Sequence, residues 1–252
     1  MNVFITGASS GIGEALAREF AVRGAHLGLV ARRAEALQAL IATLPGEHFA
    51  YGVDVTDSDA LIAAAGAFEQ AAGGTDIVIA NAGISVGVRT EHREDLRQFR
   101  RVFETNVLAL PATFHPFIAP MKARGRGTLV GIASVAGIRG LPGSEAYCAS
   151  KSAVITYCES LRVELAKSNL RVVTISPGFI RTPLTAENPY RMPFLMDADD
   201  FARKAVDSIL AGVRYRTIPW QMGCVSAVLK VMPRWLFDRM TRRRKQKPRA
   251  LA

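Results

Sequence analysis

The sequence has few cysteines and no long uncharged apolar run. Its three cysteines, Cys148, Cys158 and Cys224, form neither a Cys-x-x-Cys pair nor a cluster with histidine, so no metal site is expected. A sparse, odd count is typical of a reducing compartment and predicts a cytoplasmic protein. No apolar run reaches the length of about 18 residues that a membrane span needs. A strand-like segment begins almost at Met1, so no secretory signal peptide is expected.

Nothing in the composition is typical of a fibrous or disordered chain. The 252 residues include 21 Gly and 12 Pro, which is ordinary usage and excludes collagen-like and low-complexity proteins. The hydrophobic fraction of 49% is enough for a sizeable core. No linker-like stretch occurs before about residue 183. We therefore expect one catalytic domain over residues 1–219, followed by an extension over residues 220–252.

The positive charge is concentrated near the end of the chain. The net charge is +10, and the segment from Arg203 to Ala252 holds 13 of the 32 Lys and Arg residues but only 2 of the 22 Asp and Glu residues. A basic end on a nearly neutral body favours a local partner such as an anionic membrane surface. Aromatic residues that would stack on bases are missing among these basic residues, so no nucleic-acid partner is predicted.

Apolar strand-like runs alternate with helical patterns along the chain. We predict strands over residues 3–6, 25–31, 48–53, 76–80, 127–133, 171–176 and 216–219. We predict helices over residues 12–23, 34–43, 58–72, 95–121, 145–168 and 199–212. Such alternation is typical of parallel strands with right-handed crossovers. The predicted fold is α/β, a doubly wound Rossmann-type parallel sheet flanked by helices on both faces.

A glycine-rich segment joins the first strand to the first helix. It reads Thr6-Gly7-Ala8-Ser9-Ser10-Gly11-Ile12-Gly13. Glycines allow a tight turn and a close approach of the backbone to a pyrophosphate, and the helix N-terminus supplies free N–H groups. A purely structural turn is the alternative. The candidate cofactor residues in this segment are Gly7, Ser9, Ser10, Gly11, Ile12 and Gly13.

The second strand ends in two arginines where an acidic residue would favour NAD(H). Arg32 and Arg33 occupy this position, and a guanidinium there suits a 2′-phosphate. We therefore predict that NADP(H) is preferred over NAD(H). The alternative is a solvated arginine pair at the start of a helix.

Tyr147 and Lys151 lie four residues apart on a predicted helix and so share one face. A tyrosine is a poor acid–base group at neutral pH, and a neighbouring ammonium is expected to lower its pKa. Ser134 follows the fifth predicted strand, at the sheet edge where ligands bind. These three residues form a candidate proton-transfer site.

Further motifs complete a pattern that resembles the short-chain dehydrogenase/reductase family of about 250 residues, over roughly residues 1–219. They are the Thr6–Gly13 segment, Asp54, Asn81-Ala82-Gly83, Asn106, Ser134, Tyr147, Lys151 and Pro177-Gly178. One departure is Ala80, where the family usually has asparagine, and we expect only a local change in strand packing.

The resemblance implies an oxidoreductase that acts on a carbonyl/alcohol pair. Tyr147 would be the acid–base group, and Ser134 would bind the substrate oxygen. Lys151 would bind the nicotinamide ribose and lower the pKa of Tyr147, while Asn106 would hold a water that relays protons. The alternative is a cofactor-binding scaffold or sensor on the same fold.

The resemblance also implies further cofactor contacts. Asp54 resembles a residue that contacts adenine, although a turn or helix-cap role is equally open, and Thr182 resembles one that binds the carboxamide. The remaining candidates are Val55, Asn81, Ala82, Gly83, Tyr147, Lys151, Pro177, Gly178 and Ile180.

The segment Leu184–Ala198 mixes proline, asparagine and apolar residues, and we interpret it as a mobile substrate lid. A plain surface loop is the alternative. The candidate substrate residues suggest an apolar carbonyl or alcohol. They are Ser134, Val135, Leu141, Tyr147 and Phe179.

The extension contains an apolar stripe at helical spacing. Its members are Met222, Val225, Val228, Leu229, Met232, Trp235 and Leu236, and we expect Ser226, Lys230, Arg234 and Asp238 on the opposite face. Pro233 predicts a kink or the start of a second helix. The stripe either binds an anionic membrane peripherally or packs on the protein's own cleft or a second subunit. The family resemblance implies a homodimer or homotetramer.

Overall fold

The computed structural model describes residues 1–186, 188–242 and 245–249. The strands are β1 Asn2–Thr6, β2 His26–Ala31, β3 His48–Gly52, β4 Ile77–Ala80, β5 Gly127–Ile132, β6 Leu170–Pro177, β7 Ile180–Arg181, β8 Met196–Asp197 and β9 Tyr215–Ile218. The main sheet has seven parallel strands in the order β3-β2-β1-β4-β5-β6-β9, and a second small sheet pairs β7 with β8. The predicted doubly wound parallel sheet is confirmed.

Helices cover both faces of this sheet. They are α1 Gly11–Val22, α2 Ala34–Ile41, α3 Ser58–Ala71, α4 Asp95–Phe103, α5 Ala109–Arg124, α6 Glu145–Glu164, α7 Pro183–Ala186, α8 Ala198–Leu210, α9 Trp220–Val231 and α10 Arg234–Thr241. One core lies between the sheet and α1, α2 and α8. The other lies between the sheet and α3, α5 and α6, and contains the tilted ring contacts of Phe4 with Phe68 and Phe117.

Strand order reverses between β1 and β4, and this reversal positions the site. The chain leaves β1 for β2 and β3 on one side, and later returns to β4, β5 and β6 on the other. Connections at the carboxyl ends of β1 and β4 therefore diverge and leave a crevice, where open parallel sheets bind ligands. The loops after β1, β2, β4, β5 and β6 all end at this edge.

The predicted helix over residues 95–121 is not continuous. A π-helical turn, Glu104–Leu108, separates α4 from α5. A π turn inserts one extra residue into the helix and is frequent at functional sites, and this one contains the buried Asn106. The predicted helix over residues 145–168 ends earlier, at Glu164, and a 3₁₀ turn Leu165–Lys167 follows.

The extension forms two helices, α9 and α10, that meet at Pro233 as the sequence predicts. The predicted division into one apolar and one polar face is wrong for α9. Ser226, expected on the polar face, is buried, whereas Val228 of the apolar stripe is 58% exposed. The apolar residues follow one another at steps of three and one, and this spacing does not reveal that α9 carries apolar residues on two faces.

The inner face of α9 packs on the rest of the fold. Met222 is buried so close to Gly178 that a β-carbon there would lie 2.7 Å from the Met222 side chain. Arg139 Nη1 donates to the carbonyl oxygens of Leu229 and Met232, at 3.2 and 3.1 Å. These bonds give a partner to carbonyl groups that the C-terminal end of α9 leaves without one inside the helix. The guanidinium of Arg139 also lies 4.4 Å from the ring centre of Phe237 in α10.

None of the helices in the described parts of the chain has the length and apolarity needed to cross a bilayer. Within the same residues, no group of three or more His, Cys, Asp or Glu side chains is gathered as metal ligands would be. Glu187 of the predicted lid and Arg243 and Arg244 of the basic end lie outside the described residues.

Candidate active site

The loop between β1 and α1 allows a ligand to approach its backbone closely. Gly7 and Gly11 have φ angles of +68° and +58°, which glycine adopts without strain. A β-carbon at Gly13 would lie 2.2 Å from the carbonyl oxygen of Gly7, so α1 packs tightly on the loop. Among the described residues, the Ser10 side chain makes no capping hydrogen bond, which leaves the first N–H groups of α1 for a ligand.

Asn81 ties this loop to the end of β4. Its side-chain nitrogen donates to the carbonyl oxygens of Thr6, at 3.0 Å, and Gly7, at 3.2 Å. In return, the hydroxyl of Thr6 accepts hydrogen bonds from the backbone N–H groups of Asn81 and Ala82. These bonds hold the two loops together across the point where strand order reverses. Ala80, the departure from the family pattern, is buried in the core beside them.

Two arginines follow β2 and border the same cleft. Arg33 Nη2 lies 3.4 Å from the hydroxyl of Ser9, so it reaches the glycine-rich loop. Arg32 is exposed, and its Nη1 lies 4.0 Å from a carboxylate oxygen of Asp54. Asp54 itself accepts hydrogen bonds from the N–H and hydroxyl of Thr56, so it closes a turn as well as facing the cleft.

Tyr147 and Ser134 meet at the cleft. Ser134 follows β5, and its hydroxyl accepts a hydrogen bond from the N–H of Ala136 at 3.1 Å. Tyr147, in the first turn of α6, is half-buried and hydrogen-bonds with Ser134. The two hydroxyl groups are therefore adjacent, as proton transfer to one substrate oxygen requires.

Lys151 lies one helical turn further along α6. It is buried, and its Nζ donates to the carbonyl oxygen of Ile132 at 2.8 Å. Burial lowers the pKa of Lys151 to about 8, because the ammonium has lost solvation by water. Its Nζ lies 6.0 Å from the ring centre of Tyr147.

The expected lowering of the Tyr147 pKa is wrong in direction. Burial raises the pKa of Tyr147 to about 12, because the phenolate would be poorly solvated among dense protein atoms, although the hydrogen bond from Ser134 lowers it. Sequence spacing places Lys151 beside Tyr147 but does not reveal how much burial both groups undergo. Tyr147 is therefore held as the protonated phenol at neutral pH.

The side chain of Asn106 links the loop after β4 to α6. Its Oδ1 accepts from the N–H of Ile84 at 2.8 Å, and its Nδ2 donates to the carbonyl of Ile84 and to the hydroxyl of Ser150, each at 3.0 Å. It also borders a cavity of about 10 Å³ that Lys151 shares. That volume holds about one water molecule, which is what the expected water relay requires.

Most of the predicted cofactor and catalytic residues line one cleft of 810 Å³. All predicted cofactor residues line it except Gly13, which lies beneath the loop against Gly7. Ser134 and Tyr147 also line it. The other three predicted substrate residues lie outside this lining: Val135 begins a 3₁₀ turn, Leu141 lines a separate shallow groove, and Phe179 packs against Tyr190.

The sequence predictions missed three aromatic or charged residues at the site. Tyr190 lies near enough to Tyr147 to contribute to its raised pKa, and its ring centre lies 6.4 Å from that of Phe179. The sequence could have indicated Tyr190, because this residue lies inside the predicted lid. The other two, Arg101 and Glu104, line the cleft. Only the π turn brings Glu104 there, and the sequence pattern gave no sign of that turn.

Comparisons with known proteins agree with this geometry. The family model for short chain dehydrogenases matches residues 1–192. An uncharacterized oxidoreductase of Myxococcus xanthus is 41% identical over 246 residues, covering 95% of each chain.

Two solved structures share the fold over 86% of this chain. An alcohol dehydrogenase from Thermococcus sibiricus, complexed with 5-hydroxy-NADP, has 27% identity and a TM-score of 0.76 over 95% of its chain. A 3-ketoacyl-(acyl-carrier-protein) reductase from Brucella melitensis, complexed with NADH, has 26% identity and a TM-score of 0.77 over 96% of its chain. The chain therefore belongs to the short-chain dehydrogenase/reductase family of oxidoreductases.

Proposed function

We propose that this protein is an NADP(H)-dependent oxidoreductase that interconverts a carbonyl and an alcohol. The observation that carries the proposal is the meeting of the Ser134 and Tyr147 hydroxyls in the same cleft as the glycine-rich loop. A nucleotide bound along that loop would bring its reactive ring to the side of the cleft where these hydroxyls lie. When bound, the nicotinamide supplies or accepts the hydride.

The residues of the chain move the proton and fix the substrate oxygen. In reduction, Tyr147 donates its phenolic proton to the carbonyl oxygen, and the raised pKa of Tyr147 keeps that proton in place at neutral pH. Ser134 donates a hydrogen bond to the same oxygen and stabilises its developing negative charge. Lys151, held by its hydrogen bond to the Ile132 carbonyl, contributes positive charge near Tyr147 and would hold the cofactor ribose.

The cleft fits a dinucleotide carrying a 2′-phosphate. A β-carbon at Gly13 would collide with Gly7, so the loop and α1 are built for close backbone approach to a pyrophosphate. Arg32 and Arg33 add two guanidinium groups beside it, and guanidinium pairs well with phosphate. Related structures hold either NADH or an NADP derivative, so the preference for NADP(H) rests on these arginines.

An apolar substrate fits the wall around Tyr147. Ile84 and Leu184 border the cleft, and the ring pair of Phe179 and Tyr190 lies beside it. NADPH consumption across a panel of aldehydes and ketones tests the proposed activity. Turnover of apolar carbonyls is expected. Tight NADPH binding without turnover of any carbonyl would instead favour the scaffold or sensor function.

We also infer self-association through the long helices that flank the sheet. Leu108 and Val163, next to α5 and in α6, are 62% and 65% exposed despite being large and apolar. Covering such residues in a second copy removes them from water. Light scattering should give a dimer or tetramer, and Val163→Glu should shift it towards monomer. A monomeric native protein would contradict this.

The outer face of α9 supports peripheral contact with an anionic membrane. Trp220, Val228 and Val231 recur at helical spacing on that face, and Trp220 and Val231 are 68% and 81% exposed. Trp235 in α10 is 70% exposed. Tryptophans beside a basic surface are typical of helices that lie in a lipid interface.

The positive charge of residues 220–242 favours an anionic lipid surface over a second copy of the chain as the partner of the outer face of α9. Residues 220–242 hold four Lys and Arg residues and one Asp. A two-fold interface would place this positive surface against itself, which is unfavourable, whereas an anionic bilayer complements it. We therefore infer a cytoplasmic protein that docks on the cytoplasmic face of the membrane.

Co-sedimentation with vesicles tests the docking. The full chain should bind vesicles containing phosphatidylserine and should bind phosphatidylcholine vesicles weakly. The double variant Trp220→Gln with Trp235→Gln should lose binding, whereas Val22→Gln, which changes an exposed residue of α1, should keep it. Point variants are needed because truncation after Pro219 would uncover Gly178 and its neighbours. Equal binding by both variants would refute the docking.

A further inference from the structure

The last described residues, 245–249, return to the catalytic domain. Arg249 forms a parallel β-bridge with Gly87, in the loop after β4. A β-carbon at Gly87 would lie 2.1 Å from the carbonyl oxygen of Pro248, so the two backbones touch. Lys247 Nζ donates to the hydroxyl of Ser85 at 3.0 Å. We call residues 245–249 the strap.

Arg249 anchors the strap. Its guanidinium donates to both carboxylate oxygens of Asp95, each at 2.9 Å, and to Glu94 at 2.8 Å. The Asp95 side chain is only 5% exposed and that of Arg249 is 22% exposed. A two-pronged, largely buried arginine–carboxylate pair is a stronger link than an ordinary surface ion pair. Arg249 also lowers the pKa of Asp95, which stays ionised at neutral pH.

Asp95 transmits this anchoring to the loop after β4. Its Oδ2 also accepts from the backbone N–H of Arg89 at 2.7 Å. One carboxylate therefore holds both the strap and the loop. Removing the guanidinium would leave a buried carboxylate without its main partner and would loosen both segments.

The strap also touches the segment before α6. A β-carbon at Gly143 would lie 2.9 Å from Cβ of Gln246 and 3.3 Å from the backbone nitrogen of Lys247. Gly143 lies four residues before Tyr147. The loop after β4 includes Gly83 and Ile84, which line the cleft. The strap thus spans two segments that flank the side of the cleft where Tyr147 and Ser134 lie.

We propose that the strap fixes the width of the substrate entrance and that Arg249 is the positioning residue that determines which substrates fit. This inference rests on the proposed carbonyl reductase function. With the strap in place, the loop after β4 and the segment before α6 are held at a fixed separation. A fixed separation restricts bulky substrates more than small ones.

The test compares Arg249→Gln with Arg239→Gln in the full-length protein. Both remove one positive charge from the same end of the chain, but Arg239 lies in α10, outside the strap. Steady-state kinetics use butanal and dodecanal with NADPH. Arg249→Gln should raise the ratio of kcat/KM for dodecanal to that for butanal, on the order of tenfold, a size typical of apolar-pocket discrimination. The change should lie in KM, and Arg239→Gln should leave the ratio unchanged.

A second readout does not depend on turnover. Hydrogen exchange at the amide of Arg89 should accelerate in Arg249→Gln and in Asp95→Asn, and the double variant should add little to either. Faster exchange without a changed aldehyde ratio would overturn the specificity role. Unchanged exchange would overturn the anchoring itself. If the native protein turns over no carbonyl of the aldehyde and ketone panel, the proposed function fails, and the exchange result still decides the anchoring.

Discussion

Lys151 and Tyr147 lie on the same face of α6, but their ionisation is set by burial more than by each other. Nζ of Lys151 lies 6.0 Å from the Tyr147 ring centre and donates to the Ile132 carbonyl at 2.8 Å. Burial favours the neutral form of each group, so the two pKa values move apart: that of Lys151 falls to about 8 and that of Tyr147 rises to about 12. Tyr147 therefore keeps its phenolic proton at neutral pH.

The pH dependence of the two reaction directions follows from these shifts. Carbonyl reduction needs protonated Tyr147, so kcat/KM should stay level as pH rises to about 8 and fall above it as Lys151 loses its charge. Alcohol oxidation needs the phenolate, so it should keep rising with pH above neutrality. Initial rates in both directions from pH 6 to 10 check this. A reduction rate that falls steadily from pH 6 would contradict it.

Replacing Lys151 should impair the chemical step. Lys151→Ala removes the buried ammonium beside Tyr147, and kcat should fall by roughly 10²-fold or more, in the range typical of acid–base groups. Lys167→Ala, in the exposed turn after α6, is the control and should retain full activity. Equal kcat values for the two variants would exclude Lys151 from the reaction.

Cofactor choice should depend on the arginines after β2. Loss of a charge-assisted hydrogen bond costs about 1.5–3 kcal/mol, so Arg32→Asp and Arg33→Asp should each reduce the NADPH preference by on the order of tenfold or more. The measured quantity is the ratio of kcat/KM for NADPH to that for NADH. Arg126→Asp changes an exposed arginine before β5 and should leave the ratio unaltered. An unchanged ratio in both test variants would remove the 2′-phosphate assignment.

The packing role of Gly13 predicts a local stability effect. Gly13→Ala places a β-carbon 2.2 Å from the Gly7 carbonyl oxygen, so it should lower the free energy of unfolding by about 1–3 kcal/mol and weaken NADPH binding. Gly66→Ala is a matched control, because Gly66 lies in α3 with open space around its Cα. It should be neutral or stabilising by up to about 1 kcal/mol. Thermal unfolding with and without NADPH distinguishes the two.

Local pattern in the sequence predicted most of the fold and the site. Strand–helix alternation gave the sheet, and the glycine-rich segment and the Tyr147–Lys151 spacing gave residues that do line the cleft. These features can be predicted from the sequence because each depends on residues that are close together along one helix, strand or loop.

Other features depend on contacts that no local pattern contains. The π turn at Asn106 interrupts a segment that the sequence pattern predicts as one continuous helix. Which face of α9 is buried depends on Gly178 and Arg139, far away in the chain. The Arg249–Asp95 pair joins residues 154 positions apart. The raised pKa of Tyr147 likewise depends on the packing around it.

The central claim is that Tyr147 transfers the proton in a carbonyl/alcohol conversion. Tyr147→Phe removes only the hydroxyl and keeps the ring, so NADPH affinity by fluorescence titration should match the native protein. NADPH consumption with an aldehyde that the native protein reduces should fall by at least about 10²-fold. Turnover unaffected by Tyr147→Phe, with NADPH binding intact, would contradict the account.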